Sequence, residues 1–419
     1  MILHRPLCWL LAAAAAAGTA APPLSAQQWT RFRGPNGSGA VEGVTLPAQW
    51  SQREYLWQVA LPGVGHSSPV AWNGKVFLTS ADPRTAERYL LCIDAATGQL
   101  AWRRNDPGRP SHLHARNSFA SSTPVVDERL VYAVWGAPEQ VTVLALDHAG
   151  RPVWQRDLGP FVSMHGFGTS PMLYEDLLIL SNQQEGEQLD GRAPGQSSVL
   201  ALNRASGAVR WQTPRQSSVA PYCVPCVYRG PDGRDQLICC STAHGMFSLD
   251  PRNGRENWAA PVFTMRTVSS PLVVGELILG TTGSGGGGNY LVAVRPGPEP
   301  DVAYVVRTQA PYVPTPVASG DLIFLWSDQG IVTCIDAAEG RVHWRERIGG
   351  NYSGSPVRVG QRIGCISEEG EVVVLAAARE FQLLGRTALG EPSRSTPAIA
   401  DGRIYLRTES RLFCLKALP

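Results

Sequence analysis

Eight times along the chain a proline opens the same short pattern, two β-branched or apolar runs on either side of a tight turn. The openings are Pro69 in SSPVAWNGKVFLTS, Pro124 in STPVVDERLVYAV, Pro171 in TSPMLYEDLLILS, Pro225 in CVPCVYRGPDGRDQLICC, Pro271 in SSPLVVGELILGTT, Pro316 in PTPVASGDLIFLWS, Pro356 in SGSPVRVGQRIGCIS and Pro397 in STPAIADGRIYLRT. They fall between 40 and 55 residues apart. A period of that size marks a stacked or radial repeat, in which each unit buries its apolar surface against its neighbours.

The strands inside a unit can be counted. Pairs such as Asn73-Gly74 and Asp401-Gly402 between apolar runs are strong hairpin signals. A third run follows, such as YLLCID or VTCID, then a turn ending in Gly and a fourth run that carries Trp: Gly98 to Trp102, Gly150 to Trp154, Gly207 to Trp211, Gly254 to Trp258 and Gly340 to Trp344. Four strands per unit and no 3.6-residue periodicity predict an all-β, eight-bladed β-propeller of four-stranded antiparallel blades. The last unit ends at RLFCLKALP with three strands, whereas EYLWQVALP at Glu54 to Pro62 is a Trp strand with no unit before it. Pairing the two closes the ring with an N-terminal latch strand and leaves no open sheet edge. Trp57, Trp102, Trp154, Trp211, Trp258 and Trp344 then read as blade-docking residues, large flat surfaces wedged between neighbours.

The stretch before the first unit divides in two. Residues 1–26, MILHRPLCWLLAAAAAAGTAAPPLSA, have two basic residues, an apolar alanine-rich run and small residues at the end. They read as a secretory signal, with the mature chain beginning near Gln27. Residues 27–53 form a leader ahead of a propeller over 54–419. No Cys follows the apolar run to accept a lipid, and no later segment reaches the ~18 apolar residues of a membrane span. A periplasmic or secreted monomer is the expectation. At net charge +2 with scattered basic residues, the chain has no electrostatic footprint for nucleic acid.

CIDAATGQLAW, Cys92 to Trp102, and CIDAAEGRVHW, Cys334 to Trp344, resemble the tryptophan-docking motif of the quinoprotein propellers, Ala-x-Asp-x-x-Thr-Gly-x-x-x-Trp, with Cys in place of Ala. The leader WTRFRGPNGSG, Trp29 to Gly39, is similar to the N-terminal signature of exported PQQ-binding-like β-propeller repeat proteins. The fold also resembles the scaffold lipoprotein of the outer-membrane β-barrel assembly machinery, whose lipidation Cys has no counterpart here. The resemblance implies two roles, PQQ with calcium in a dehydrogenase or protein binding in a scaffold. The dehydrogenases' calcium-binding Glu, Asn and Asp and their Asp base have no matching positions in this chain.

Eight of nine cysteines follow the signal. Cys92, Cys334 and Cys414 occupy a third-strand slot that other units fill with Ala145, Ala201, Ser248 or Ala293, as small buried hydrophobes do. In unit four, strand alternation sends Cys223 and Cys226 to opposite faces, and likewise Cys239 and Cys240, so at most two thiols meet on either face and a four-Cys zinc site is disfavoured. A cross-strand disulfide remains open in an oxidising compartment. The resemblance adds a vicinal disulfide near the cofactor of PQQ dehydrogenases, which Cys239-Cys240 would imitate. GSGGGGN, Gly283 to Asn289, lacks the Lys-Ser or Lys-Thr of a phosphate loop and reads as a flexible hairpin tip.

First strands line a propeller's axis, so residues shortly before each repeat Pro converge at one mouth of the channel. These are His66, Asn117, His165, Tyr222, Arg266, Tyr312, Tyr352 and Arg394, with His112, His114 and Arg116 as a rim. Such a ring suits an anionic or polyhydroxyl ligand, or lines a wet channel while satisfying loop backbone. It contains no Asp or Glu, so neither a calcium site nor a catalytic base, nor any other metal site, is expected in it. The favoured expectation is a non-catalytic propeller binding a small polar or anionic ligand or a protein partner at its axial mouth. The alternatives are a PQQ-dependent oxidoreductase of alcohols or sugars and a polysaccharide-binding module.

Overall fold

The computed structural model describes residues 28–419; the segment read as a secretory signal lies outside the described residues. Eight four-stranded antiparallel blades follow one another in chain order, and the sheet of the seventh carries a fifth, parallel strand, Ala40–Val41. Blade 1 is Val70–Trp72, Lys75–Ala81, Arg88–Asp94 and Leu100–Asp106, and the pattern recurs through blade 7, Val357–Val359, Arg362–Ile366, Glu371–Ala376 and Leu383–Ala388. Blade 8 joins the two ends of the chain: Tyr55–Ala60 pairs antiparallel with Arg411–Lys416, outside Arg403–Arg407 and Ala398–Ala400. The described residues include two short 3-10 turns and no α-helix, and no helix long and apolar enough to cross a membrane.

The local reasons for these strands are visible at the turns. Asn73 and Gly74 have φ of 44° and 73°, and Asp401 and Gly402 of 50° and 68°, the two positive values that a two-residue hairpin needs to match strand twist. At the turn before the fourth strand, the Asp94 carboxylate accepts hydrogen bonds from Ala96 N, Thr97 N and the Thr97 hydroxyl. Gly98, at φ 74°, leaves room for a ring: a Cβ there would stand 2.6 Å from Trp57 of blade 8.

That contact recurs from blade to blade. Five docking indoles donate their N–H to a turn carbonyl of the next blade, Trp57 to Ala95, Trp102 to His148, Trp154 to Arg204, Trp211 to Pro251 and Trp344 to Ala378. The first four also lie on that blade's turn glycine, whereas Trp344 meets a turn without glycine and packs on Phe381. The residue opposite the indole on the third strand is small, Cys92 beside Trp102, Ala145 beside Trp154, Cys334 beside Trp344 and Cys414 beside Trp57. The cysteines fill space under an indole.

Three blades depart from this rule. Trp258 donates to Gln236 of its own blade, because blade 5 has Pro296 to Pro300 where its neighbours have the Asp-to-Gly turn. Blade 5 docks through Tyr304, whose hydroxyl donates to Ala337 O and whose ring covers Gly340. In blade 7 large and small are exchanged: Val374 faces Gly385, and the vacated space holds Ala48 and Gln49 of the leader, next to the buried Trp50.

The leader is therefore part of the propeller. Trp29 is fully buried and bridges to Ala71 of blade 1, while Thr30 O accepts from Val126 N of blade 2. Arg31 donates to Pro225 O, and Arg33 to Pro316 O and Pro356 O, the repeat prolines of blades 4, 6 and 7. Asn36 exchanges two hydrogen bonds of 2.8 Å with the Val227 backbone, and Ala40–Val41 pairs parallel with Val357–Val359. The segment crosses the axis and ties blades on opposite sides of the ring.

The blade-four cysteines differ from the alternation expected of them. Cys223, Cys226 and Cys240 share one apolar cluster and Cys239 belongs to another. The strand starts only at Cys226, so Cys223 lies in the approach to it and strict alternation does not govern its direction. Its thiol donates to Cys240 O at 3.0 Å. All eight described cysteines are buried free thiols, and no three His, Cys, Asp or Glu among the described residues are grouped to hold a metal ion.

Candidate functional site

The eight residues that precede the repeat prolines form the innermost ring. Ser68 N donates to the Thr123 hydroxyl, and Thr123 N to that of Ser170. Beyond blade 4, Val224 N donates to Ser270, Ser270 N to Thr315, Thr315 N to Ser355, Ser355 N to Thr396, and Thr396 N back to Ser68. Seven contacts of 2.9–3.1 Å thus run round the axis, and the eighth is missing where Val224 has no oxygen to offer Ser170. Each ring hydroxyl accepts one backbone N–H and has no acceptor for its own hydrogen among the described residues. This ring was not among the sequence candidates. Its signal was the Ser or Thr beside seven of the eight prolines, which reads as a turn residue until neighbouring blades are placed side by side.

Above the ring is a cavity of about 490 Å³, floored by Phe32 of the leader, within the ~300–1,000 Å³ of small-ligand sites. The structure brings six of the eight predicted mouth residues to its wall, His66, Asn117, His165, Tyr222, Tyr312 and Arg394, together with His114 and Arg116 of the rim. Gly285, of the glycine-rich tip, also borders it. His112 instead lines a neighbouring groove with Phe161 and Met164.

The other two belong elsewhere. Tyr352 is buried against Trp326, ring centroids 5.4 Å apart, because its backbone N–H is drawn down to Asp328 O. Arg266 is buried beside the wall, donating to Glu185 at 3.1 Å and to Ala220 O. Arg266, expected at the mouth from its place before a first strand, therefore does not line the cavity. Its guanidinium is a structural tie with a buried acid partner.

Several wall groups are committed to the scaffold. The Asn117 amide donates to His165 O and Phe167 O and accepts from Ser118 N and the Ser121 hydroxyl. The Tyr222 hydroxyl donates to Gly166 O at 3.0 Å, and burial raises its pKa to about 12. The Tyr312 hydroxyl has no protein partner among the described residues, and His114 and His165 face each other with ring centroids 4.6 Å apart. Burial, with Arg394 and Arg407 nearby, lowers the His66 pKa to about 3; burial and Arg266 lower that of His165. Both imidazoles are neutral at neutral pH.

No carboxylate borders the cavity, and those just behind its wall are occupied. Glu185 holds Arg266. Asp328 accepts the backbone N–H of Tyr312 and Val313. Glu368 meets Arg394 at 3.3 Å and Arg116 at 3.6 Å and accepts from the Ser353 hydroxyl. The chemistry on offer is hydrogen-bond donation and positive charge, over neutral imidazoles and an apolar floor.

Ring, blades and axial cavity define a PQQ-like eight-bladed β-propeller. The chain belongs to the family described as outer membrane protein assembly factor BamB, whose model matches residues 48–296. No curated protein matches it in sequence. Among solved structures it is similar to BamB from Moraxella catarrhalis, with a TM-score of 0.60 and 15% identity over 86% of this chain and 99% of that one. It is also similar to the quinohemoprotein alcohol dehydrogenase from Comamonas testosteroni, with a TM-score of 0.65 and 11% identity over 93% and 80%. The computationally designed Ika8 protein matches at 0.59, 11%, 87% and 99%. At such identities the likeness shows the fold alone.

Proposed function

We propose that the chain is an exported, non-catalytic propeller that binds a small polar or anionic ligand in its axial cavity, in the setting of outer-membrane protein assembly that its family description names. The observation that carries this reading is a leader-floored pocket whose wall offers donors and cations, while every nearby acid is engaged in holding an arginine or a backbone amide. An alcohol dehydrogenase of the quinoprotein type needs carboxylates to hold calcium and one more to take the substrate proton. Freeing Glu185 or Asp328 for that work would strand Arg266 or two backbone amides, and freeing Glu368 would take an acid from both Arg394 and Arg116, so the residues present do not fit quinone and calcium chemistry.

The test is dye-linked turnover. The protein mixed with PQQ and calcium should reduce no artificial acceptor in the presence of a panel of alcohols and aldoses. Sustained, PQQ-dependent turnover that is lost on replacing one of these carboxylates would establish the oxidoreductase instead. Retention on immobilised neutral polysaccharide would favour the glycan-binding module.

A further inference from the structure

Three guanidiniums are buried around the axis without an acid beside them. Arg31 donates to Pro225 O and toward the Met172 sulfur. Arg33 has only carbonyl acceptors, those of Gly37, Ser38, Pro316 and Pro356. Arg407 donates to Ser67 O, the Ser67 hydroxyl and Thr79 O, and its Nε and Nη2 have no partner. Burial lowers their pKa values to about 10, 9 and 9, and no carboxylate among the described residues offsets it. All three are cations at neutral pH.

Buried charge is normally paired, since desolvation otherwise costs several kcal/mol. Here the three charges stand behind the cavity, none of them on its lining. Phe32, between Arg31 and Arg33 in the chain, is its floor, and Arg407 is close enough to the wall residue His66 to depress its pKa. Arg394 and Arg116 stand higher and both meet Glu368, and Arg394 also meets Glu409 at 3.5 Å. Seven ring hydroxyls add donors without acceptors, and a buried donor without an acceptor carries its own desolvation cost.

Resting on the reading that the axial cavity binds a small ligand, we infer that its occupant is an oxyanion: a molecule bearing carboxylate, phosphate or sulfate, whose oxygens take the ring hydroxyl hydrogens and whose charge meets Arg116 and Arg394 on the wall, with the buried guanidiniums behind it. A neutral polyol satisfies the hydroxyls and leaves the charge unbalanced. The gap in the ring at Val224 marks the side on which such a ligand has fewest donors.

Calorimetry and thermal shift at low salt, with citrate, glucuronate, inorganic phosphate and glucose as probes, test this. At least one of the three anions should bind saturably and raise the melting temperature, and glucose should not. Arg116→Gln, a half-exposed position whose only ion pair is a 3.6 Å contact, should weaken the anion about tenfold to a hundredfold, the range of one charge-assisted hydrogen bond. Val224→Thr, nearly the same shape, should tighten it by supplying the missing hydroxyl. Binding of glucose equal to that of glucuronate, unaffected by Arg116→Gln, would overturn the oxyanion and keep the ligand site. Absence of saturable binding by every anion overturns the inference as well. A crystal soaked in citrate then reports on the site itself: density on surface arginines with a cavity closed by side chains removes the ligand reading together with the oxyanion.

Discussion

Trp344 and Arg266 show how differently two residues of one repeat protein can be used. The Trp344 indole spans the junction of blades 6 and 7, against Phe324 and Phe381 and hydrogen-bonded to Ala378. Truncation to Ala should cost about 3–5 kcal/mol in a denaturant titration, and a loss below about 1 kcal/mol would make it a surface feature. Arg266→Ala strands Glu185 in a buried site and should also cost about 3–5 kcal/mol, whereas Arg116→Gln should leave stability nearly unchanged. His66 adds a pH dependence. Its pKa is about 3 in the folded chain, against ~6.5 in the unfolded one. Below pH ~6.5 only the unfolded chain takes up that proton, so stability falls as pH drops from about 6.5 toward 3, by about 1.4 kcal/mol per pH unit in the steep part. His66→Gln should flatten that slope; an unaltered slope would assign the acid sensitivity to other groups. At this scale the indoles, their small partners and the turn glycines were legible because each is a local motif repeated at fixed spacing. Tyr304 was missed since it fills a Trp place without the Trp, and Arg266 was misplaced since spacing from a proline gives position along the chain and not the direction of a long side chain.

The leader is the element with the largest gap between what its sequence suggests and what it does. WTRFRGPNG has no apolar periodicity, and nothing in its composition separates a loose arm from a buried plug. Its partners are backbone carbonyls of prolines up to 323 positions away, a contact that no local pattern encodes. Removing residues 28–53 while keeping Tyr55–Ala60 should leave blade 8 closed, yet uncover Pro225, Pro316 and Pro356 and strip the cover from Gly385. We expect a much lower melting temperature and loss of axial binding. A truncated chain of unchanged stability would show that the leader decorates a propeller complete without it. Blade 7 offers a sharper variant of the same test. Gly385→Trp would restore the repeat's own docking residue, but its side chain would meet Ala48 O within 2.3 Å. That substitution should destabilise the full-length chain and be tolerated better in the truncated one, and the reverse order would contradict the packing described.

The whole molecule is a ring whose two chain ends share one blade, so its closure and its cavity are a single property. The blade count and the joining of the ends were legible because an unpaired strand at each end has one mate that leaves no open edge. The inner hydroxyl ring, the floored cavity and the acid-free guanidiniums were not, since they arise only where eight blades meet. The most direct measurement of the central claim is native mass spectrometry of the protein purified under mild conditions from the organism that makes it, beside its Arg116→Gln/Arg394→Gln counterpart. The account predicts a low-mass anionic species that travels with the folded wild-type chain and is released on unfolding, and that is depleted from the double variant. Two folded proteins, both at the bare mass of the polypeptide, would contradict it.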